Sequence, residues 1–461
     1  MKLSIAYIAV SKQSERRSEM RRINCINRDR ICRTLGLSIL MFGLITQGMA
    51  FSMSPASRTS RGPANAVTDT SDDVVLEWND IAVSRLPAGP PFPTGRYMAT
   101  IQLAVFEAVN ATTGKYQPYL GTVSAPAGAS PEAAAVTAAH GVLIAFFGPS
   151  ASLDALRDAS LNNIPDGQSK TDGIAVGIAA AAAMVANRTN DGSSPSLFHI
   201  PANTDPYEWQ VTPGAPCAVG AGVFRHWPNV RPFGIENASQ FRAEPPPTLG
   251  SGVYAQDFNE VQAVGSLSSP NRPQGRTDVA RLYAAVGIGM WNSVLGQIAR
   301  TRDDEITDTA RTLALMNMAI NDAWVSVFES KYFYRTWRPV TAIPRGDEDG
   351  NKRTTPGAFT PLIATPCFPG YPSAHGSGSG AGRQVLERAY GRFKHTVVVT
   401  HPSLPSIILT YSDLRAITDD ISDARVYGGI HFRYDQDAGE RMGHDVGQYV
   451  YNNLLQRSDE K

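Results

Sequence analysis

Three cationic clusters occupy the last third of the chain. Lys331 stands seven residues before Arg338-Pro339. Tyr371-Pro372-Ser373-Ala374-His375-Gly376 comes next. The third runs from Arg425 through Gly428-Gly429 to His431, with Asp435 four residues further on. One Lys, two Arg, two His, a Ser and a glycine-rich backbone are the parts needed to hold a tetrahedral, multiply charged oxyanion and do chemistry on it. Arginine offers a rigid fork for two oxygens, whereas lysine offers a mobile point charge. Ser373 after a proline is a natural N-cap, and the first N–H groups behind it (Ala374, His375, Gly376) lie at the positive end of a helix, a ready anion site. Asp435 can bind one nitrogen of His431, set its tautomer and leave the other nitrogen as nucleophile or ligand.

Taken singly, each cluster has a plainer reading. Basic residues at a helix C-terminus complement the macrodipole, and Ser-x-His is ordinary capping more often than catalysis. A divalent-metal site of His431, Asp435 and His444 is a further rival, but Arg425 and Arg433 are cations that would repel the metal. Only the coincidence of all three clusters favours an oxyanion site.

The order Lys-x6-Arg-Pro, Pro-Ser-x-His, Arg-x5-His-x3-Asp resembles the signature shared by vanadium-dependent haloperoxidases and type 2 phosphatidic acid phosphatases. Trp78-Asn79-Asp80-Ile81-Ala82 and Phe106-Glu107-Ala108-Val109-Asn110 are similar to segments of secreted bacterial members. The resemblance implies an all-α fold of two helical bundles with one oxyanion pocket. By it, Lys331, Arg338, Arg425, Ser373 and the Ala374 N–H bind vanadate or phosphate. His431 is the axial partner, coordinating vanadium in a haloperoxidase or becoming a phosphohistidine in a phosphatase. His375 is the acid–base group and Asp435 orients His431. Ala374 departs from the glycine usual in the family; only its N–H is needed, so the site survives while the methyl narrows it. Phe368 stands where chloroperoxidase-like members carry Phe.

The resemblance leaves three functions open. One is halide oxidation by hydrogen peroxide with a vanadate cofactor. Another is hydrolysis of a phosphomonoester by a secreted acid phosphatase. The last is oxyanion binding without turnover. The exported, non-spanning chain and its long N-terminal helical half favour the first.

The elements that must position these residues read as helical. Helices are expected over 73–86, 96–110, 131–147 (Ser130 N-cap, Pro131 at N1), 152–162 and 171–186. From 191 to 247 Pro and Gly recur and no period survives, so this is a long loop whose aromatic residues pack over the helices. Further helices are expected over 254–264, 277–300 and 305–332, the last with Leu313, Met316, Ile320, Trp324 and Val327 at helical spacing. Residues 376–382 lead into a helix over 383–390. The only plausible strand is 394–400, followed by helices over 406–419, 422–429 and 437–457. The natural division is one bundle over 71–270 and a second, carrying the chemistry, over 271–459.

At 461 residues the chain can bury a large core. Its formal charge of zero hides an asymmetry. Residues 1–50 hold nine Lys/Arg and three Asp/Glu, and the remainder carries a net −6. That acidity gives no footprint for nucleic acid. A basic region ending at Arg33, the apolar run 35–46 and Gly48-Met49-Ala50 read as an export signal over 1–50, with a start at Met20 as a variant. Residues 51–70 read as a flexible leader, and no stable membrane span is expected after cleavage, 174–186 being short and buried. A periplasmic or extracellular location follows, as does one permitted disulfide, Cys217 with Cys367. A homo-oligomer stays open.

Overall fold

Helix-forming segments account for most of the computed structural model, which describes residues 73–458 apart from Ala88, Ala218 and Ile288. The expected signal and leader lie outside the described residues. The N-terminal helices are α1 (Asp73–Arg85), α2 (Pro91–Thr113), α3 (Pro131–Phe147), α4 (Ala151–Asn162) and α5 (Gln168–Asn187). Then follow α6 (Gly252–Val264), α7 (Gln274–Ala285), α8 (Gly289–Ala299), α9 (Ile306–Tyr334), the short α10 (Pro339–Ala342) and α11 (Ala374–Tyr390). After the strands β1 (Phe393–Val399) and β2 (Leu409–Asp413) come α12 (Leu414–Tyr427) and α13 (Arg433–Asn453). The fold is all-α, as expected, with one two-stranded antiparallel ribbon among the described residues.

Helix α9 is the axis of the molecule. It has no Pro or Gly over 29 residues, and apolar side chains all round it, so nearly every position is buried. It packs on α2 from the N-terminal half and on α11 and α13 from the C-terminal half. Both halves therefore share one apolar core. The helix ends where Arg335 adopts left-handed φ (49°) and its N–H bonds to Lys331 O; Pro339 opens the next turn.

Several expected elements are corrected. The 277–300 helix is two, because the chain leaves helical geometry at Val286 (ψ 134°) before α8. The expected helix over 406–419 begins instead as strand β2, and a single helix, α12, replaces two. Strand β1 pairs with β2 (Val397 with Tyr411, Val399 with Leu409), and that pairing decides the conformation of 409–413. Helix α11 starts at Ala374 and includes the glycines expected to precede it. Helix α5 spans 20 residues, beyond the 171–186 expected; it is long and apolar enough to cross a membrane by length and composition, and only one face is buried, so the stretch 174–186 is neither short nor wholly buried. That face carries Gly173 and Gly177, which abut the backbone of Ser130 and Ala134.

The 191–247 loop is tied down by buried polar groups rather than by regular structure. Asp322 on α9 accepts the N–H groups of Phe233, Gly234 and Ile235 at 2.8, 2.6 and 3.0 Å. Asp191 accepts from both Arg96 and Arg188. Of the aromatic residues of the loop, Trp209 and Trp227 are buried against the rest of the fold, whereas Phe198 is exposed. Cys217 and Cys367 form a disulfide that fastens this loop to the segment before α11.

Candidate active site

Lys331 sits in the last turn of α9, Arg338 at the N-cap of α10, Ser373 at the N-cap of α11, Arg425 in the last turn of α12, and His431 just before α13. Five helix ends meet at one place, and all five of these side chains are buried. Backbone carbonyls aim the cations. Lys331 Nζ donates to Pro369 O and Gly370 O at 2.8 and 2.7 Å. Arg338 Nε donates to Phe368 O at 3.0 Å and Nη1 to Ile430 O at 2.9 Å. Arg425 Nη1 donates to Tyr283 O at 3.0 Å. The Phe368 ring lies between two of these charges, 5.3 Å from Lys331 Nζ and 5.1 Å from Arg338 Cζ.

His431 is held from both sides. Arg338 Nη1 contacts its Nε2 at 2.8 Å, and a guanidinium can only donate, so Nε2 presents a lone pair. The proton is therefore on Nδ1, which donates to Asp435 Oδ2 at 2.8 Å. Asp435 also accepts the Phe432 N–H at 3.2 Å, and its own carbonyl accepts the Ser373 N–H at 2.8 Å, which joins the α13 and α11 ends directly. Ser373 Oγ accepts the Gly376 N–H at 3.2 Å, leaving its hydroxyl proton free to donate. The N–H groups of Ala374 and His375 are first-turn donors with no carbonyl one turn back in the helix.

The electrostatics of this cluster are one-sided. Burial, then the nearby Arg338, pushes the Lys331 ammonium well below its usual range. Burial brings Arg338 down to about 10 against the pull of Asp435, and burial together with the Arg338 charge brings Arg425 to about 9. Burial first, and then the three cations, hold both His375 and His431 well below 6.5, so both are neutral near pH 7. Burial likewise raises Asp435 to about 7, against the pull of Lys331 and Arg338. Arg338 Nη2, Arg425 Nε and Asp435 Oδ1 are buried without a hydrogen-bond partner. Two orphaned guanidinium donors in a surplus of positive charge fit a tetrahedral oxyanion such as vanadate or phosphate.

All the residues expected at the oxyanion site come together. His444 does not: its side chain is 41% exposed and pairs with Asp445, whereas His431 is buried. No group of His, Cys, Asp and Glu among the described residues could hold a metal ion. Sequence reasoning missed the parts made by backbone, namely the carbonyls of Tyr283, Phe368, Pro369, Gly370 and Ile430, which carry no side-chain signal. It also missed Trp324, whose Nε1 donates to Ala374 O at 3.0 Å and pins the start of α11. A cavity of about 860 Å³ reaches the site, with His375 and Arg425 in its wall.

Residues 311–460 match the family model of the VCPO second helical-bundle domain. The vanadium chloroperoxidase of Curvularia inaequalis is 24% identical over 33% of this chain, a match spanning 30% of that relative's length. The structure is similar to that of the first bacterial vanadium-dependent iodoperoxidase, with a TM-score of 0.69 and 25% identity over 87% of this chain and all of that one. A holo-type bacterial vanadium-dependent chloroperoxidase has the same fold (TM-score 0.62, 16% identity, 84% of this chain and 93% of that one). Residues 311–460 thus match the second helical bundle of the vanadium chloroperoxidase family, and the chain as a whole has the fold of bacterial vanadium haloperoxidases.

Proposed function

We propose that this protein is a vanadate-dependent haloperoxidase that oxidises halide with hydrogen peroxide to hypohalous acid. One observation carries the reading. Three buried cations face a single buried carboxylate, and two of their N–H donors lack partners. Burying like charges without counter-charge is costly, and a multiply charged oxyanion removes that cost. The segment that matches the VCPO bundle, 311–460, contains every one of these residues.

In this reading Lys331, Arg338, Arg425, Ser373 Oγ and the Ala374 N–H would hold the oxyanion, and His431 Nε2 would be the ring nitrogen that binds it. Bound vanadate supplies a redox-inert Lewis acid that polarises hydrogen peroxide towards halide. Neutral His375, in the cavity wall, takes a proton from incoming hydrogen peroxide on a ring nitrogen and returns it to the departing oxygen. Asp435 keeps the proton of His431 on Nδ1, so Nε2 carries a lone pair, which accepts from Arg338 Nη1 here and would turn to the oxyanion once that guanidinium donates to the oxyanion instead. The Cys217–Cys367 disulfide supports export to the periplasm or beyond, as the N-terminal signal pattern also does.

The same cradle suits a phosphoryl transition state, with His431 Nε2 attacking phosphorus, so the test must separate the two chemistries. Peroxide-dependent iodide and bromide oxidation, with and without added vanadate, is measured beside hydrolysis of p-nitrophenyl phosphate. Vanadate-stimulated oxidation with negligible hydrolysis is expected; hydrolysis that vanadate inhibits would replace this reading with a secreted acid phosphatase. A folded protein with neither activity would be a non-catalytic oxyanion binder. His431→Ala should lower oxidation by ~1,000-fold or more, whereas His375→Ala should lower it by about 100-fold while keeping vanadate affinity. Near wild-type turnover in His431→Ala would remove the ligand role of His431.

A further inference from the structure

The N-terminal bundle carries a second cavity, lined by none of the oxyanion residues. It is an open groove of about 800 Å³ between α3, α4 and α5, within the range of about 300–1,000 Å³ typical of organic-ligand pockets. Along α5 its wall runs from Ile174 to Ala186, roughly 18 Å of helix. The wall is aliphatic: Ile144, Leu161, Ile174, Ile178 and Val185 stand among alanines, and no Phe, Tyr or Trp takes part among the described residues. Ile178 is 59% exposed, so this apolar surface stands open. Two polar groups of α3 interrupt it. Thr137 is 6% exposed, and its Oγ1 is buried without a hydrogen-bond partner. His140 follows three residues later, on the same helix face. It is also buried, and its Nε2 meets Asp154 Oδ1 at 2.8 Å. A carboxylate only accepts, so the proton sits on Nε2 and Nδ1 keeps a lone pair. Arg157, the charged side chain of the wall, is already paired with Asp158 at 2.7 Å and Asp154 at 3.5 Å.

We propose that this groove binds an aliphatic alcohol, with the chain along α5 and the hydroxyl at Thr137 and His140. The proposal is independent of the haloperoxidase reading. Walls of branched aliphatic residues and alanine fit a flexible alkyl chain, whereas a ring finds no aromatic surface to stack on. A buried hydroxyl without a partner is costly, and a ligand oxygen removes that cost. The Thr137 hydroxyl donates to the ligand oxygen, while Nδ1 of His140 accepts the ligand's proton. An alcohol serves both at one atom. A carboxylate has no proton for Nδ1, and the paired guanidinium of Arg157 offers it no uncompensated charge.

The probe is 1-decanol, titrated calorimetrically into the protein at pH 8 beside decanoate. Saturable one-to-one binding of the alcohol is expected, with decanoate at least tenfold weaker. Thr137→Val keeps the outline of the side chain and removes the hydroxyl. It should weaken decanol about three- to tenfold, the worth of one hydrogen bond. Ala182→Trp fills the groove from an exposed position on α5 and should abolish binding, and Ala186→Trp serves as a second filling variant should the first not fold. Tungstate affinity at the oxyanion site should be unchanged in each, which reports an intact fold. Absence of saturable binding, or decanoate bound as tightly as decanol, would overturn the proposal. Decanol binding unmoved by these substitutions would place the ligand elsewhere and overturn it too. A dimer in sedimentation that Ala182→Trp disperses would assign the groove to a second copy of this chain. Pelleting with phosphatidylcholine vesicles that the same substitution removes would assign it to a bilayer. Either result replaces the alcohol site.

Discussion

Arg338 is the residue on which the site turns. Its guanidinium links Phe368 O, Ile430 O and His431 Nε2, so one side chain connects the α11 approach, the α13 approach and the imidazole. A lysine could not make these contacts at once, because it lacks the planar fork. The charge state of the cluster gives a pH test. Arg425 near 9, Arg338 near 10 and a depressed Lys331 are all restored towards full charge by a bound anion, so binding takes up protons. Affinity is then highest at neutral pH and falls as pH rises through 9 to 10. One pKa unit is worth about 1.4 kcal/mol, or tenfold, so an oxyanion should bind roughly tenfold more weakly at pH 10 than at 7.5. Tungstate, whose own charge is constant over this window, is the calorimetric probe, in buffers of differing ionisation enthalpy. Flat affinity without proton uptake would mean that these cations are not the ligands.

At the scale of elements, the meeting of α11 and α13 brings Ser373 beside Asp435. Both helices expose glycine on the shared face. A Cβ at Gly376 would lie 2.9 Å from Gln436 O, one at Gly380 2.7 Å from Glu440 O, and one at Gly447 2.8 Å from Ala381 O. A Cβ at Gly443 would run into Ser377 O. Here the glycines serve backbone approach rather than turn geometry. Gly443→Val should therefore cost ~1–3 kcal/mol by overpacking and move the α11 N-terminus. Its thermal midpoint should drop and its tungstate affinity should weaken; unchanged values for both would show that the helices separate without consequence. Gly378 has a different reason, since a Cβ there would sit 2.5 Å from Trp324 Nε1 and break the bond that pins Ala374.

Over the whole molecule, the irregular 191–247 loop works as a brace. It reaches α9 through Asp322 and the α11 approach through the disulfide, whose Cys367 immediately precedes the three carbonyls that aim Lys331 and Arg338. The cross-link spans 150 residues, so its loss frees a long loop in the unfolded chain. Replacing both cysteines (Cys217→Ser with Cys367→Ser) should cost about 2–5 kcal/mol. If the brace also positions the carbonyls, tungstate affinity should fall several-fold under conditions where the protein remains folded. A lower unfolding midpoint with intact affinity would assign the disulfide to stability alone.

The residues that gather at the five helix ends, the Ser130 cap, α9 and the all-α class were legible because each leaves a local mark: a residue type at a fixed spacing, a Ser-Pro-Glu start, a helical period. Side-chain chemistry at helix ends is written in the chain itself. What pairing or packing decides was not legible there. Residues 409–413 became a strand only because β1 lies beside them, and α11 kept its glycines because α13 fills the space that their missing side chains leave. Tyr283 and Phe368–Gly370 act through carbonyls that every residue possesses. Their place against three cations depends on contacts between segments far apart in sequence, and only the assembled fold creates those.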